Sequence, residues 1–314
     1  RIQSPIIWDV IVVMTYMAIS LLLLYFPLLP GIALCRDRLT KIPSWQKKMY
    51  RVLSLGWNYS PEQFKIVKRA VVILSVLIIP VALSIHTVTS WLFATTYRPG
   101  WDSTNFGAYF VAGAFMVGAA AVIAGMYILR RFYERYKEYI TDQLFDRMGQ
   151  LLVLLSLVYM YFTVNEYLIP GYKMKGQEAE HLHELFAGHY APMFWGTQIF
   201  GMIIPIIVLL FKKGRRPLPM FIMAVFVIVA AWFKRYLIVI PTLLHPFLPL
   251  QEVREAWKHY SPTLEEWSIT LGSLAGALLV ITIFVRYFPI ISIWEVAEER
   301  EIPHDTIYKH YNKK

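Results

Sequence analysis

The chain has 314 residues, 57% of them hydrophobic and only 17% charged, with a mean hydropathy of +0.47 and a formal net charge of +10. That balance excludes an ordinary soluble domain and points to a polytopic membrane protein. The single cysteine, Cys35, excludes an internal disulfide or a thiolate cluster and reads as an inert thiol near a helix end; with no CxxC, HExxH, EF-hand, Walker or GxGxxG pattern present, metal and nucleotide chemistry have no support.

Apolar runs long enough to cross about 30 Å of hydrocarbon fall near residues 5–29, 70–94, 105–129, 148–170, 192–211, 219–243 and 265–288. They predict an all-α fold with seven transmembrane helices, because hydrocarbon offers backbone polar groups no partners outside a helix or a closed barrel. Between the first two runs, KKMYRVLSLGWNYSPEQF predicts a short amphipathic helix on the membrane surface. The bundle is expected to occupy 1–294, followed by a polar cytoplasmic tail over 295–314. The chain opens on Arg1 with no signal peptide ahead of its first span, so an N-terminal part of the native protein is expected to be missing.

The basic residues alternate along the chain. Segments 30–69, 130–147, 212–216 and the tail from Arg286 hold 23 Lys and Arg, against 5 in segments 94–104, 171–191 and 244–264. The positive-inside rule places the first set in the cytoplasm. The net charge is then an orientation signal, and binding to nucleic acid has little left to explain. SPIIWD (4–9), RPGWD (98–102), NEYLIPGY (165–172), HLHELFAGH (181–189) and HPFLP (245–249) fall at the external face.

Asp9 sits about one turn inside the first span. A carboxylate costs roughly 2.5–3.5 kcal/mol at a helix centre, and less near the surface. Ser4 and Pro5 suit the N-cap and first helical positions, and Asp9 lies beyond the reach of capping. Counting along each helix puts His86, Glu166, Lys234 and Arg235 in the same outer half, with Arg98 and Asp102 just above. Ionisable residues within a bundle face one another or a polar cavity, so the common depth suggests one outward-facing polar site. Blander readings stand beside it. Lys234 pairs with Glu166 or snorkels, His86 packs against a carbonyl, and Asp102 caps the helix starting near Asn105. His181, His183 and His189 lie on a solvated loop, and Trp8 is an interfacial aromatic.

SPIIWD, the stretch SIHTVTSWLFATTYRPGWDSTNFGAYFVAGAFMVGAA (84–120) and HPFLP together resemble the NrfD/PsrC family of quinone-interacting membrane subunits. Within that family the chain is similar to the NrfD-like subunit of bacterial alternative complex III, ActC, or to its paralogue ActF. The resemblance covers most of the chain, and the stretch from His86 to Ala120 is its most specific part. It implies a ten-helix bundle of which this chain carries spans four to ten, in a bacterial cytoplasmic membrane. It also implies oxidation of quinol, menaquinol in particular, near the periplasmic face. Asp9 and Asp102 would accept the protons, with His86 as a partner, while Trp8, Arg98 and Trp101 would shape the quinone pocket. Electrons would pass to a periplasmic iron–sulfur, molybdopterin-like subunit, in a complex with an NrfD-like paralogue and cytochrome c subunits. No haem or cluster would be held by the chain itself.

The chemistry asks for the same residue types independently, since each quinol hydroxyl needs a base within hydrogen-bonding reach. Glu166, Lys234 and Asn165 read as a proton path or an ion pair. Three other classes compete: a quinone-reducing anchor of a molybdopterin oxidoreductase, an ion-coupled transporter using Glu166, Lys234 and the helix prolines Pro80, Pro205 and Pro241, and a purely structural anchor. A retinal protein would carry its lysine in the last span, whereas Lys234 is in the sixth.

Overall fold

A computed structural model describes residues 3–244 and 260–289, together with 292, 294 and 296. HPFLP and, apart from Val296, the expected tail lie outside the described residues. Among the described residues, seven helices are long and apolar enough to cross a membrane: α1 (Pro5–Arg38), α3 (Pro61–Ala94), α4 (Phe106–Phe132), α5 (Asp142–Lys173), the composite Ala191–Leu210, α9 (Pro217–Leu244) and α10 (Leu264–Tyr287). The composite comprises α7 (Ala191–Gln198), a π-helical turn (Ile199–Ile203) and α8 (Ile204–Leu210). Shorter helices among the described residues include a 3-10 turn at Glu134–Tyr136 and two α-helices. α2 (Ser44–Leu53) overlaps the stretch expected to form a short amphipathic helix, starting earlier and ending before its NYSPEQF part, and α6 (Gly176–Phe186) replaces the solvated loop expected around the histidines.

Several helices run past their apolar segments. α1 continues through Pro27 and Pro30 to Arg38, and α3 starts at Pro61 rather than near residue 70. Proline at the first turn of α3 is tolerated because its missing N–H would have no intrahelical acceptor there.

The chain divides into two compact units. One comprises 1–9 and 83–260, the other 10–82 and 261–314. The second has a core around Leu29, Ala33, Trp57, Val67 and Trp294. There Arg36 ties α1 to the turn after α2, donating to Ser54 Oγ at 2.9 Å and to the Trp57 carbonyl at 3.0 Å. That turn passes through positive φ at Leu55 and Gly56.

The first unit is built on α4, α5, α9 and the α7–α8 composite, with α6 laid across one end. On α4 the buried residues are Phe106, Tyr109, Phe110, Ala112, Met116, Ala120 and Ile123; on α9 they include Met220, Ala224, Val227, Ala230, Lys234 and Leu237. Both sets follow the three-and-four spacing of one helical face. The π turn and α9 approach closely, since a Cβ on Gly201 would stand 2.2 Å from that of Ala230. Small residues permit such contacts between membrane helices. At the end carrying the basic connections, Arg215 donates to Asp146 Oδ1 at 2.7 Å and to the carbonyls of Leu209 and Leu210 at 2.8 and 2.9 Å. One side chain thereby ties α5 to the open C-terminus of α8.

Candidate functional site

Arg98-Pro99-Gly100-Trp101 forms a tight turn. The Trp101 N–H donates to the Arg98 carbonyl at 3.0 Å and Gly100 takes φ +78°. Proline followed by a positive-φ glycine is the pattern of a type II turn. The turn sends the Trp101 indole inward, where its N–H donates to the Ile238 carbonyl of α9 at 2.7 Å and its ring packs edge-on against Phe93. Trp101 is therefore a buried anchor of the turn. The Arg98 side chain is half-buried and Asp102 is exposed. Asp102 does not cap α4, whose N-cap is Asn105 with no side-chain capping bond.

Asp9 is half-buried, and its Oδ1 accepts a 2.6 Å hydrogen bond from Thr89 Oγ1 of α3. The neighbouring hydroxyls of Thr87 and Thr95 bond back to their own helix, and Thr89 instead reaches across to α1. Among the described residues Asp9 Oδ2 accepts no hydrogen bond. Trp8 and Trp91 meet edge to face beside this pair, 6.2 Å between ring centres. His86 lies three residues before Thr89, on the same helical face, and is half-buried. The Arg235 guanidinium lies 4.3 Å from the centre of the Phe110 ring.

Glu166 and Lys234 are both buried, 8% and 6% exposed, and have separate partners. Glu166 accepts from Ser103 Oγ at 2.9 Å and Asn105 Nδ2 at 3.4 Å. Lys234 donates to the Tyr167 hydroxyl, and its ammonium lies 4.6, 5.2 and 5.8 Å from the ring centres of Tyr167, Phe194 and Tyr109. Among the described residues no hydrogen bond joins the two side chains directly; each is held by its own partners. Cation–π contacts of a desolvated ammonium contribute about 2 kcal/mol or more, which offsets part of the burial cost. The Asn165 amide is occupied by its own helix, donating to the Tyr161 carbonyl at 2.8 Å, and Asn105 is the amide that reaches Glu166.

A cavity of about 30 Å³ opens beside this cluster, lined among others by Gly100, Tyr109, Glu166, Tyr167, Glu178, His181 and Thr242. His181 is 6% exposed. It reaches this position because α6 turns its inner face, Glu178, His181, Leu182 and Leu185, toward the bundle. A larger, almost wholly apolar groove of about 570 Å³ lies between α7, the π turn and α9, lined by Met193, Phe200, Phe226 and Phe233 among others.

Hydropathy and charge did not single out Thr89, Ser103, Asn105, Tyr167, Glu178 or His181 as site residues. Only α6 carried any signal, with Glu178, His181, Leu182 and Leu185 at helical spacing over too short a stretch to stand out. Among the described residues, no three His, Cys, Asp or Glu side chains are placed to hold a metal ion.

Residues 1–246 match the family described as polysulphide reductase, NrfD. The chain belongs to the NrfD family. It is 27% identical over 301 residues to one of the subunits of the selenate reductase of Mesobacillus selenatarsenatis, an alignment covering 92% of this chain and 68% of that one. It is 26% identical over 277 residues to the Hdr-like menaquinol oxidoreductase integral membrane subunit of Archaeoglobus fulgidus, covering 83% and 69%. The menaquinone reductase integral membrane subunit of Nitratidesulfovibrio vulgaris is 22% identical over 147 residues, covering 46% of this chain and 34% of that protein. Two of these relatives are named as integral membrane subunits acting with menaquinol or menaquinone. The chain is an NrfD-type quinone-interacting membrane subunit of an oxidoreductase complex, and its seven apolar helices make it a multi-pass membrane protein.

Proposed function

We propose that this subunit oxidises quinol near the periplasmic face of a bacterial cytoplasmic membrane, with Asp9 as a proton acceptor. The observation that carries the reading is the Asp9–Thr89 contact inside a span. The hydroxyl fixes one carboxylate oxygen and leaves the other to take a proton from a quinol hydroxyl. Trp8 and Trp91 offer flat apolar walls for the ring, and His86 stands on the same face of α3 as Thr89. Asp102, exposed on the RPGWD turn, is the second carboxylate and hands protons to water. Arg98 supplies positive charge at the rim. Trp101 contributes by holding the turn.

The charge bias supports the orientation. Menaquinol is the favoured substrate because menaquinol and menaquinone appear in the relatives' names. Electrons leave through a periplasmic iron–sulfur, molybdopterin-like subunit, in an assembly with an NrfD-like paralogue and cytochrome c subunits, as in alternative complex III with ActC or ActF as the counterpart. The naming of one relative as a menaquinone reductase supports a second reading, in which the same residues deliver protons to quinone. The buried cluster of Glu166 and Lys234 forms a separate proton-carrying element. The test is quinol-dependent reduction of the partner's clusters in the purified complex. A complex with full cluster content that neither oxidises quinol nor reduces quinone rejects both directions.

A further inference from the structure

We propose that Glu178 and His181, with water held between them in the cavity they line, form the port through which Glu166 exchanges protons with the aqueous phase at the RPGWD end. The proposal rests on reading Glu166 as a proton-carrying group, and does not depend on quinol oxidation at Asp9.

The geometry comes from three elements that converge on one cavity. Glu166 of α5 lines it, held by Ser103 and Asn105. Glu178 of α6 lines it too, and its Oε2 is buried with no hydrogen-bond partner among the described residues. A carboxylate oxygen shut away from bulk water without a donor is unfavourable, and a cavity water is the donor within reach. The volume of about 30 Å³ holds about two waters, since about 10–15 Å³ of such space accommodates one. His181 forms the third wall. A Cβ on Gly100 would stand 2.6 Å from His181 Nε2, so the positive-φ glycine that makes the RPGW turn also makes room for the imidazole.

The surroundings of Glu166 favour this exit over others. The connection before α4 presents Asp102, Ser103 and Asn105, α4 presents Tyr109, α5 presents Tyr159 and Tyr167, and α9 presents Lys234. Ser103 and Asn105 donate to Glu166, Lys234 is bound to Tyr167, and the hydroxyls of Tyr109 and Tyr159 bond each other at 2.9 Å. Among the described residues lining the cavity, only α6 brings both a carboxylate and an imidazole. Carboxylate, water and imidazole each both accept and release a proton, so a proton passes along the series with no net chemical change. Glu180 and His183 lie on the other face of α6 and are exposed.

The test follows the hydrogen–deuterium shift of the Glu166 carboxyl stretch by infrared spectroscopy after the intact complex is mixed with D₂O, with the band assigned by its loss in Glu166→Gln. The wild-type shift is expected within seconds. Glu178→Gln/His181→Asn should slow it at least tenfold, Glu178→Gln alone should slow it less, and His183→Asn should leave it unchanged. If the double variant does not assemble, the near-isosteric Glu178→Gln decides alone. A wild-type rate in the port variants overturns the port while leaving Glu166 as a proton carrier. Absence of any Glu166-dependent band overturns both.

Discussion

Lys234 gives its hydrogen bond to the Tyr167 phenol, one residue along α5 from the carboxylate that its position in the sequence suggested. With Tyr109 and Phe194 the phenol completes an aromatic enclosure around the ammonium. Tyr167→Phe keeps the ring and removes the acceptor, leaving a buried ammonium short of a partner. Stability of the complex should fall by about 1–3 kcal/mol. Lys234→Met placed in the Tyr167→Phe background should cost less than it does alone, because the two side chains share one interaction. Thermal or denaturant unfolding of the four proteins measures this, and additive losses would mean that the bond contributes nothing.

Hydropathy made the seven spans legible, because their apolar content is continuous over the membrane thickness. It did not give their ends. α1 and α3 extend into polar sequence, where helix is held by packing and not by hydrocarbon; Tyr50 of α2, for example, donates to the Tyr287 carbonyl at the end of α10. α6 went unseen because His181, Leu182 and Leu185 make too short an apolar face to stand out from a histidine-rich loop. Asp9 was legible as an anomaly. Its partner Thr89 was not, since a threonine in a span ordinarily bonds back to its own helix, as Thr87 does. The spatial pairing of Ser103 and Asn105 with Glu166 depends on the turn geometry around Gly100, which lies beyond periodicity.

Arg215 should be the most sensitive basic residue at the opposite end of the first unit. It binds Asp146 and two carbonyls at once, and a Cβ on Gly149 would stand 2.8 Å from its side chain. Arg215→Ala is expected to destabilise the protein, chiefly because the Leu209 and Leu210 carbonyls lose their donor, the partly exposed ion pair with Asp146 adding little. Arg215→Lys should recover little, since an ammonium cannot reproduce the guanidinium fork. Gly149→Ala should weaken the same contact. Unfolding measurements that find Lys equivalent to Arg would show that charge alone matters here.

The charge bias predicts that the RPGWD turn faces the periplasm. Thr104 is exposed and suits a cysteine probe, whereas Ser103 is committed to Glu166. In a Cys35→Ser background, Thr104→Cys should react with an impermeant maleimide in spheroplasts with the membrane intact. Ser44→Cys, exposed at the start of α2, should react only after the membrane is opened. The reverse pattern would invert the topology and move the Asp9 site to the cytoplasmic face.

Asp9 and Thr89 provide the sharpest comparison, because their substitutions separate base from scaffold. Asp9→Asn keeps size and the oxygen that Thr89 binds, and removes the group that takes a proton. A positioned base contributes about 10²- to 10⁴-fold, so quinol turnover should fall by that order while the complex assembles with its full complement of clusters. Thr89→Val leaves the base in place and removes the hydroxyl that orients it. A hydrogen bond to a charged group contributes about 1.5–3 kcal/mol, so turnover should fall by roughly ten- to a hundredfold if that whole term acts on positioning. Thr89→Ser should restore most of the loss, since it retains the oxygen that reaches Asp9. Steady-state quinol oxidation by purified complex, normalised to cluster content, distinguishes the cases. Near-normal turnover in Asp9→Asn would make the Asp9–Thr89 bond a helix-to-helix tie between α1 and α3 and nothing more, whereas equal losses in Thr89→Val and Thr89→Ser would mean that the site requires the methyl group in its packing.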